Sequence, residues 1–188
     1  YGLRYSPLQE RVIFPVCEGD RLYGWQARTT RKTEYLDSLG RKREIPKILS
    51  STAIPRSKTL MFADRLAGSD HAVLCEGPVD AIKAHFCGGN VAAMGKAVTT
   101  EQIRLLITGG VKKLYLALDP DASDEMQRLV RDYFDDFELY EMRAKGGGKA
   151  DLGAMSYEDV YELYLDAKRL PPGYLFSYLN PAVIAAGG

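Results

Sequence analysis

With 188 residues, 46% of them hydrophobic and 27% charged, the chain has the composition of one soluble globular domain or two small ones, which excludes a mainly disordered protein. Its longest apolar runs, such as Ala72 to Cys75 and Tyr115 to Leu118, fall far short of the roughly 20 residues a membrane-spanning helix needs, and no charged-then-apolar leader opens it. A membrane protein is therefore excluded.

The balance of 25 Lys and Arg against 25 Asp and Glu hides an asymmetry. Residues 1–68 carry 13 cationic and 7 anionic side chains, whereas residues 69–188 carry 12 and 18, so the two parts do different electrostatic work. Cys17, Cys75 and Cys87 are widely spaced and form no CxxC pair, which argues for a reducing cytoplasm and against a structural zinc site. Because the chain opens at Tyr1 and not at Met, neighbouring domains are expected.

In chain order, Arg11 to Cys17 and Leu22 to Arg28 are short runs of β-branched and aromatic residues separated by Glu18-Gly-Asp-Arg21, which predicts a β-hairpin. From Thr29 to Ile45 the pattern becomes polar and basic, with Arg31, Lys32, Arg41, Lys42 and Arg43, and is expected to be a mobile loop. After Asp70 the period changes. Strands are expected at 71–75, 90–94, 113–118 and 137–142, alternating with helices at 79–86, 100–107, 124–134 and 157–170. Such alternation implies right-handed crossovers and hence an α/β fold, a mainly parallel sheet flanked by helices, preceded by a small β-rich basic subdomain. Thr99 is placed to cap the second helix, and Gly109-Gly110 to stop it. The expected divisions are 1–68, 69–155, and a C-terminal helix with an apolar tail at 156–188.

Ligands of open α/β sheets bind at the carboxyl ends of the strands, and here those positions are acidic. The first strand ends in Glu76-Gly-Pro-Val-Asp80, the third in Leu118-Asp-Pro-Asp121, and Asp151 follows a Gly-rich stretch after the fourth. A cluster of carboxylates without nearby His suits hard cations, above all Mg2+ or Mn2+, of the kind that assist phosphoryl and nucleotidyl transfer. Each acid alone is equally well a helix cap or a solvated surface charge; it is the repetition at consecutive strand ends that favours chemistry.

A strand ending in Glu-Gly with Asp four residues after the Glu, followed by a strand ending in Asp-X-Asp, resembles the TOPRIM domain of bacterial-type primases, type IA and type II topoisomerases, and some nucleases and recombination proteins. The resemblance spans residues 71 to about 155 and implies a Rossmann-like sheet. Upstream, Glu10-Arg-Val-Ile-Phe-Pro-Val16, the Gly24 to Arg28 strand, Pro46-Lys-Ile-Leu-Ser-Ser51 and Lys58-Thr-Leu-Met-Phe62 resemble the N-terminal part of the RNA polymerase core of bacterial and phage (DnaG-like) primases. Met94-Gly-Lys-Ala-Val-Thr-Thr100 is similar to the turn which that family places after its second TOPRIM strand.

The resemblance implies a DNA-directed RNA polymerase making short primers from ribonucleoside triphosphates on single-stranded DNA, acting with a replicative helicase in the cytoplasm of a bacterium or phage-infected host. It implies Glu76, Asp119 and Asp121 as catalytic residues and Glu76, Asp80, Asp119, Asp121 and Asp151 as the ligands of Mg2+ or Mn2+. It further implies Arg11, Arg28, Lys47, Lys58 and Lys96 as contacts to nucleotide or DNA phosphates. Departures from the family pattern are Pro120 where Gly is common between the aspartates, Lys96 where a small hydroxyl residue is frequent, and Lys149-Ala-Asp151 in place of an Asp-Pro-Asp type motif. A TOPRIM nuclease using the same acids and a catalytically silent nucleic-acid-binding module are the alternatives. A topoisomerase is weaker, since it needs a nucleophilic Tyr on another domain.

Overall fold

Six strands form in the first part of the chain: β1 (Arg4–Ser6), β2 (Arg11–Glu18), β3 (Arg21–Thr29), β4 (Glu34–Leu36), β5 (Lys42–Glu44) and β6 (Ile48–Ser50). The expected hairpin is β2–β3, with Glu18 opposite Arg21 across a two-residue turn in which Gly19 has φ +54°, a backbone that Gly adopts without steric cost. Strands β1, β2, β3 and β6 make one antiparallel sheet in that order. β1 stops opposite Ile13, so Pro15, which has no N–H to give, sits beyond the stretch where β2 is paired on that side. Phe14, Val16 and Ala27 supply the buried apolar side chains of this sheet.

The stretch read as a mobile basic loop contains a second hairpin, β4–β5, a correction to that expectation. Asp37 supplies what the hydrophobic pattern does not show. Its Oδ1 accepts the amide N–H groups of Leu39 and Arg41 at 2.9 and 3.0 Å, and its backbone exchanges hydrogen bonds with Arg41 and Gly40. This closes the turn with a side chain rather than with apolar burial.

The structure, a computed structural model, describes residues 1–95, 97–119, 122–143 and 152–171. They fall into two compact units, 1–55 and 56–188. The division lies earlier than the expected 68/69, because Leu60, Met61 and Leu66 are buried in the second unit and Met61 exchanges backbone hydrogen bonds with Ala92 at 2.9 and 3.1 Å.

In the second unit the strands are β7 (His71–Cys75), β8 (Asn90–Ala92), β9 (Lys113–Ala117), β10 (Glu138–Glu141) and β11 (Lys168–Arg169). The helices are α1 (Pro78–Lys83), α2 (Thr100–Thr108), α3 (Ser123–Tyr133) and α4 (Tyr157–Leu165). The sheet order is β8-β7-β9-β10-β11, parallel except for the last strand. β7 is buried from Ala72 through Cys75, as a central parallel strand covered on both faces must be. Leu114, Leu116 and Leu139 pack with Ile103, Leu106, Leu129 and Val130 on one side. On the other, Tyr115 stacks on Tyr140 at 4.7 Å and meets Tyr164 of α4 at 4.5 Å, with His71 beside both rings.

The expected α/β alternation is therefore present, with one change at its end. The last helix stops at Leu165 instead of 170, and Lys168–Arg169 adds antiparallel to the open edge of β10, placing Leu170 in the core with its amide on the Leu139 carbonyl at 2.8 Å. The apolar tail lies outside the described residues. No helix among the described residues is long and apolar enough to cross a membrane.

Candidate active site

The order β8-β7-β9 means that the chain leaves β7 to one side for β8 and returns on the other for β9, so the strand order reverses between β7 and β9. At such a reversal the two following loops diverge and open a crevice at the carboxyl ends of the strands. Glu76 directly follows β7, and Asp119 lies two positions beyond the end of β9. The Asp119 N–H donates to Glu76 Oε1 at 3.1 Å, which ties the two strand ends together through one carboxylate. Both side chains are half-buried.

Asp80 enters from α1. Pro78 occupies the first helical position, where its missing N–H costs nothing, and Asp80 lies in the first turn. Its Oδ1 accepts the Gly153 N–H at 2.9 Å, so the turn at 152–154 braces it from the far end of the sequence. A Cβ at position 77 would lie 2.9 Å from Asp80 Oδ2, so Gly77 is what allows this carboxylate to sit against the strand end. Burial, then the charges of Asp80, Cys87 and Asp119, push the Cys75 thiol well above its ordinary value.

The rim beside β8 is held just as firmly. Met94 takes a left-handed backbone, φ +63°, in the turn leaving the strand. Farther along the same loop, the Val98 N–H donates to Glu125 Oε1 at 2.6 Å while Arg128 Nη2 donates to the Val98 carbonyl at 2.5 Å. One Glu–Arg pair on α3 thus satisfies both backbone groups of Val98. Thr99 then caps α2 as expected, its hydroxyl accepting from the Gln102 N–H while Gln102 Oε1 accepts from the Thr99 N–H.

Of the expected site residues, Glu76, Asp80 and Asp119 are brought to one sheet edge. Asp121, Asp151 and Lys96 lie outside the described residues. Among the described residues no group of three or more His, Cys, Asp or Glu is arranged to hold a metal ion by itself. Arg28 and Lys47 both lie in the first unit, Arg28 paired with Ile48 across β3–β6 and Lys47 exposed just before β6. Lys58 is exposed in a short turn of the second unit.

Arg11 corrects the expectation of a phosphate-facing cation. It is 5% exposed, and its guanidinium donates to the carbonyls of Ala27, Lys47 and Pro46 at 3.2, 3.4 and 2.8 Å. The charge is consumed in tying segment 46–47 to β3, which positions Lys47. Two supports escaped the sequence reading, the Gly153 amide under Asp80 and the Asp37 clasp. The first has no local signal, because the partners are 73 residues apart; the second is legible as Asp37-Ser-Leu-Gly40, a turn pattern with an acceptor at its start.

Residues 73–132 match the Toprim-like family. No curated protein matches the chain. Among solved structures, the primase of Aquifex aeolicus (zinc binding and RNA polymerase domains) is 20% identical with a TM-score of 0.65, covering 97% of this chain and 47% of its own. A DNA primase domain from Pseudomonas aeruginosa is 17% identical with a TM-score of 0.67, covering 95% and 60%. The RNA polymerase domain of Mycobacterium tuberculosis primase, in complex with a double-stranded DNA oligomer carrying a 6-nucleotide overhang, is 16% identical with a TM-score of 0.64, covering 98% and 62%. The chain thus carries a Toprim-like domain within a fold like that of bacterial primase cores, and spans between about half and two thirds of those structures.

Proposed function

We propose that this chain is the catalytic core of a DNA primase, joining ribonucleotides into short RNA on a single-stranded DNA template. The observation that carries the proposal is the Glu76 carboxylate held by the Asp119 N–H at the reversal of a Toprim-like sheet, with Asp80 braced on the helix that follows. The primase cores that share the fold support it, one of them in complex with DNA.

In donor chemistry Glu76, Asp80 and Asp119 suit a hard divalent cation, Mg2+ or Mn2+, because all three offer carboxylate oxygens. In this proposal Glu76 is a metal ligand or proton acceptor, Asp119 and Asp121 are ligands, and Asp80 and Asp151 are supporting acids. The chemistry such a cation supplies when bound is easier ionisation of the attacking 3′-hydroxyl and charge neutralisation at the transferred phosphorus. The protein's own part is positioning: the Asp119 amide restrains the Glu76 carboxylate, and the Gly153 amide restrains Asp80. Arg28, Lys47, Lys58 and Lys96 are proposed as contacts to the phosphates of triphosphate or template, both of them polyanions. A replicative helicase is the partner that delivers the template.

The test is incorporation of labelled ribonucleotides on mixed single-stranded templates with Mg2+ or Mn2+, the native chain against Asp119→Ala. Metal-dependent short RNA that is lost in the variant is the expected result. DNA cleavage without ribonucleotides would replace the proposal with a nuclease, and DNA binding with neither activity would leave a silent module. In the same assay Gly77→Ala is expected to displace the Asp80 carboxylate, lowering synthesis roughly tenfold or more while changing stability by less than about 1 kcal/mol. Paired thermal melts and rates check this; a full-rate variant would remove Asp80 from the site.

A further inference from the structure

The β4–β5 hairpin holds none of the residues quoted for the primase resemblance, yet it carries an ordered pair of surface cations. Tyr35 pairs with Arg43 in register, and alternation puts Tyr35, Asp37, Arg41 and Arg43 on one face of the ribbon. Arg41 Nε and Arg43 Nε both donate to Asp37 Oδ2, each at 3.0 Å. Asp37 is 18% exposed, whereas the two arginine side chains are 60% and 50% exposed. One carboxylate therefore holds both guanidiniums by the same nitrogen, and their terminal N–H groups have no further partner among the described residues. The hydrogen bond from the Arg41 amide holds the Asp37 carboxyl below its ordinary value, so the clasp is ionised at neutral pH. Tyr35, half exposed on the same face, adds a ring on which a base can stack.

Such an arrangement costs conformational freedom that a merely solvated charge run has no need to give up. Surface arginines held by their Nε present a preformed fork, the geometry that phosphate oxygens accept bidentately. We infer that the hairpin 34–44 is a nucleic-acid-binding arm, in which Asp37 orients Arg41 and Arg43 onto the phosphodiester backbone of a single strand while Tyr35 stacks on a base. The inference deepens the proposed function, because it adds a template contact beyond Arg28 and Lys47.

The experiment measures fluorescence anisotropy of the full chain with a dye-labelled oligothymidine strand, from about 50 to 200 mM salt. Arg41→Ala with Arg43→Ala is expected to weaken binding roughly tenfold and to reduce the slope of log affinity against log salt by between about 1 and 2. Arg41→Lys with Arg43→Lys, which keeps both charges, is expected to keep the slope and lose affinity. Asp37→Asn separates orientation from charge. Removing a negative charge tightens binding if only net charge matters, whereas loss of the clasp weakens it roughly threefold in our reading. Unchanged affinity and slope in the double Ala variant, or tighter binding by Asp37→Asn, would overturn the inference. So would loss of affinity for free inorganic triphosphate with DNA binding intact. If Arg28→Ala or Lys47→Ala weakens binding while the hairpin variants do not, this inference fails alone; if the native chain binds no DNA, the proposed function fails with it.

Discussion

Replacing Glu76 with Gln is expected to lower ribonucleotide incorporation by roughly a thousandfold, about 4 kcal/mol of transition-state stabilisation. The substitution is informative because Gln keeps an oxygen at the same reach. The Asp119 N–H that now donates to Glu76 Oε1 still finds an acceptor, so the tie between the ends of β7 and β9 survives. The negative charge is lost, and one of the two carboxylate oxygens becomes an NH2 donor. Stability is accordingly expected to change by less than about 1 kcal/mol, whereas Glu76→Ala removes both charge and tie and is expected to cost stability as well. Steady-state incorporation alongside urea unfolding distinguishes the two effects. A Gln variant working at more than a tenth of the native rate would show that the charge of Glu76 is not needed, and would end its assignment to the reacting centre.

Gln102→Leu is expected to destabilise the second unit by about 3 to 5 kcal/mol without touching that centre. The Gln102 carboxamide is 1% exposed and serves as a bracket. Its Nε2 donates to the carbonyls of Arg56, Thr59 and Ala93 at 2.9, 3.0 and 2.9 Å, and its Oε1 accepts from the Thr99 N–H at 3.0 Å. Two N–H bonds shared among three carbonyls make a compact network, buried at Thr59 and Ala93 and part-buried at Arg56. Leu is nearly isosteric and more apolar, so a cavity is not the issue. What is lost is the partner of up to four backbone groups, two in buried bonds and two part-buried, each buried one costing about 1 to 3 kcal/mol when orphaned, part of which relaxation recovers. Against a total of about 5 to 15 kcal/mol the loss is large, and the melting temperature is expected to fall by roughly 10 °C. Denaturant unfolding gives the free energy directly. A change under about 1 kcal/mol would mean that Gln102 is not what holds residues 56–59 to the sheet.

Residues 56–68 show where sequence reading met its limit. A basic stretch before a clear change of period invites a boundary at the change. The boundary moved because Leu60 and Met61 bury into the following sheet, and because the side chain that secures the stretch, Gln102, is over forty residues away from Thr59. Polar brackets of this kind carry no periodicity. Arg11 makes the same point in the other direction, since an arginine on a strand reads as a surface cation until three backbone carbonyls are found around it. β11 is a third case: a two-residue strand has no pattern of its own and exists because β10 leaves an edge to be paired.

By itself the sequence determined the parallel α/β sheet, the hairpin β2–β3, the cap and stop of α2, and the acidic character of the strand ends. Each of these follows from local chemistry, either a hydrophobic period of 2 or 3.6 or a side chain that meets a backbone group within a few residues. Only the tertiary structure decided that Glu76 and Asp119 are joined, that Asp80 is braced by Gly153 and that Arg11 is internal. Those are contacts among side chains and backbone whose energy depends on distances set by the packed fold, and no spacing along the chain encodes them.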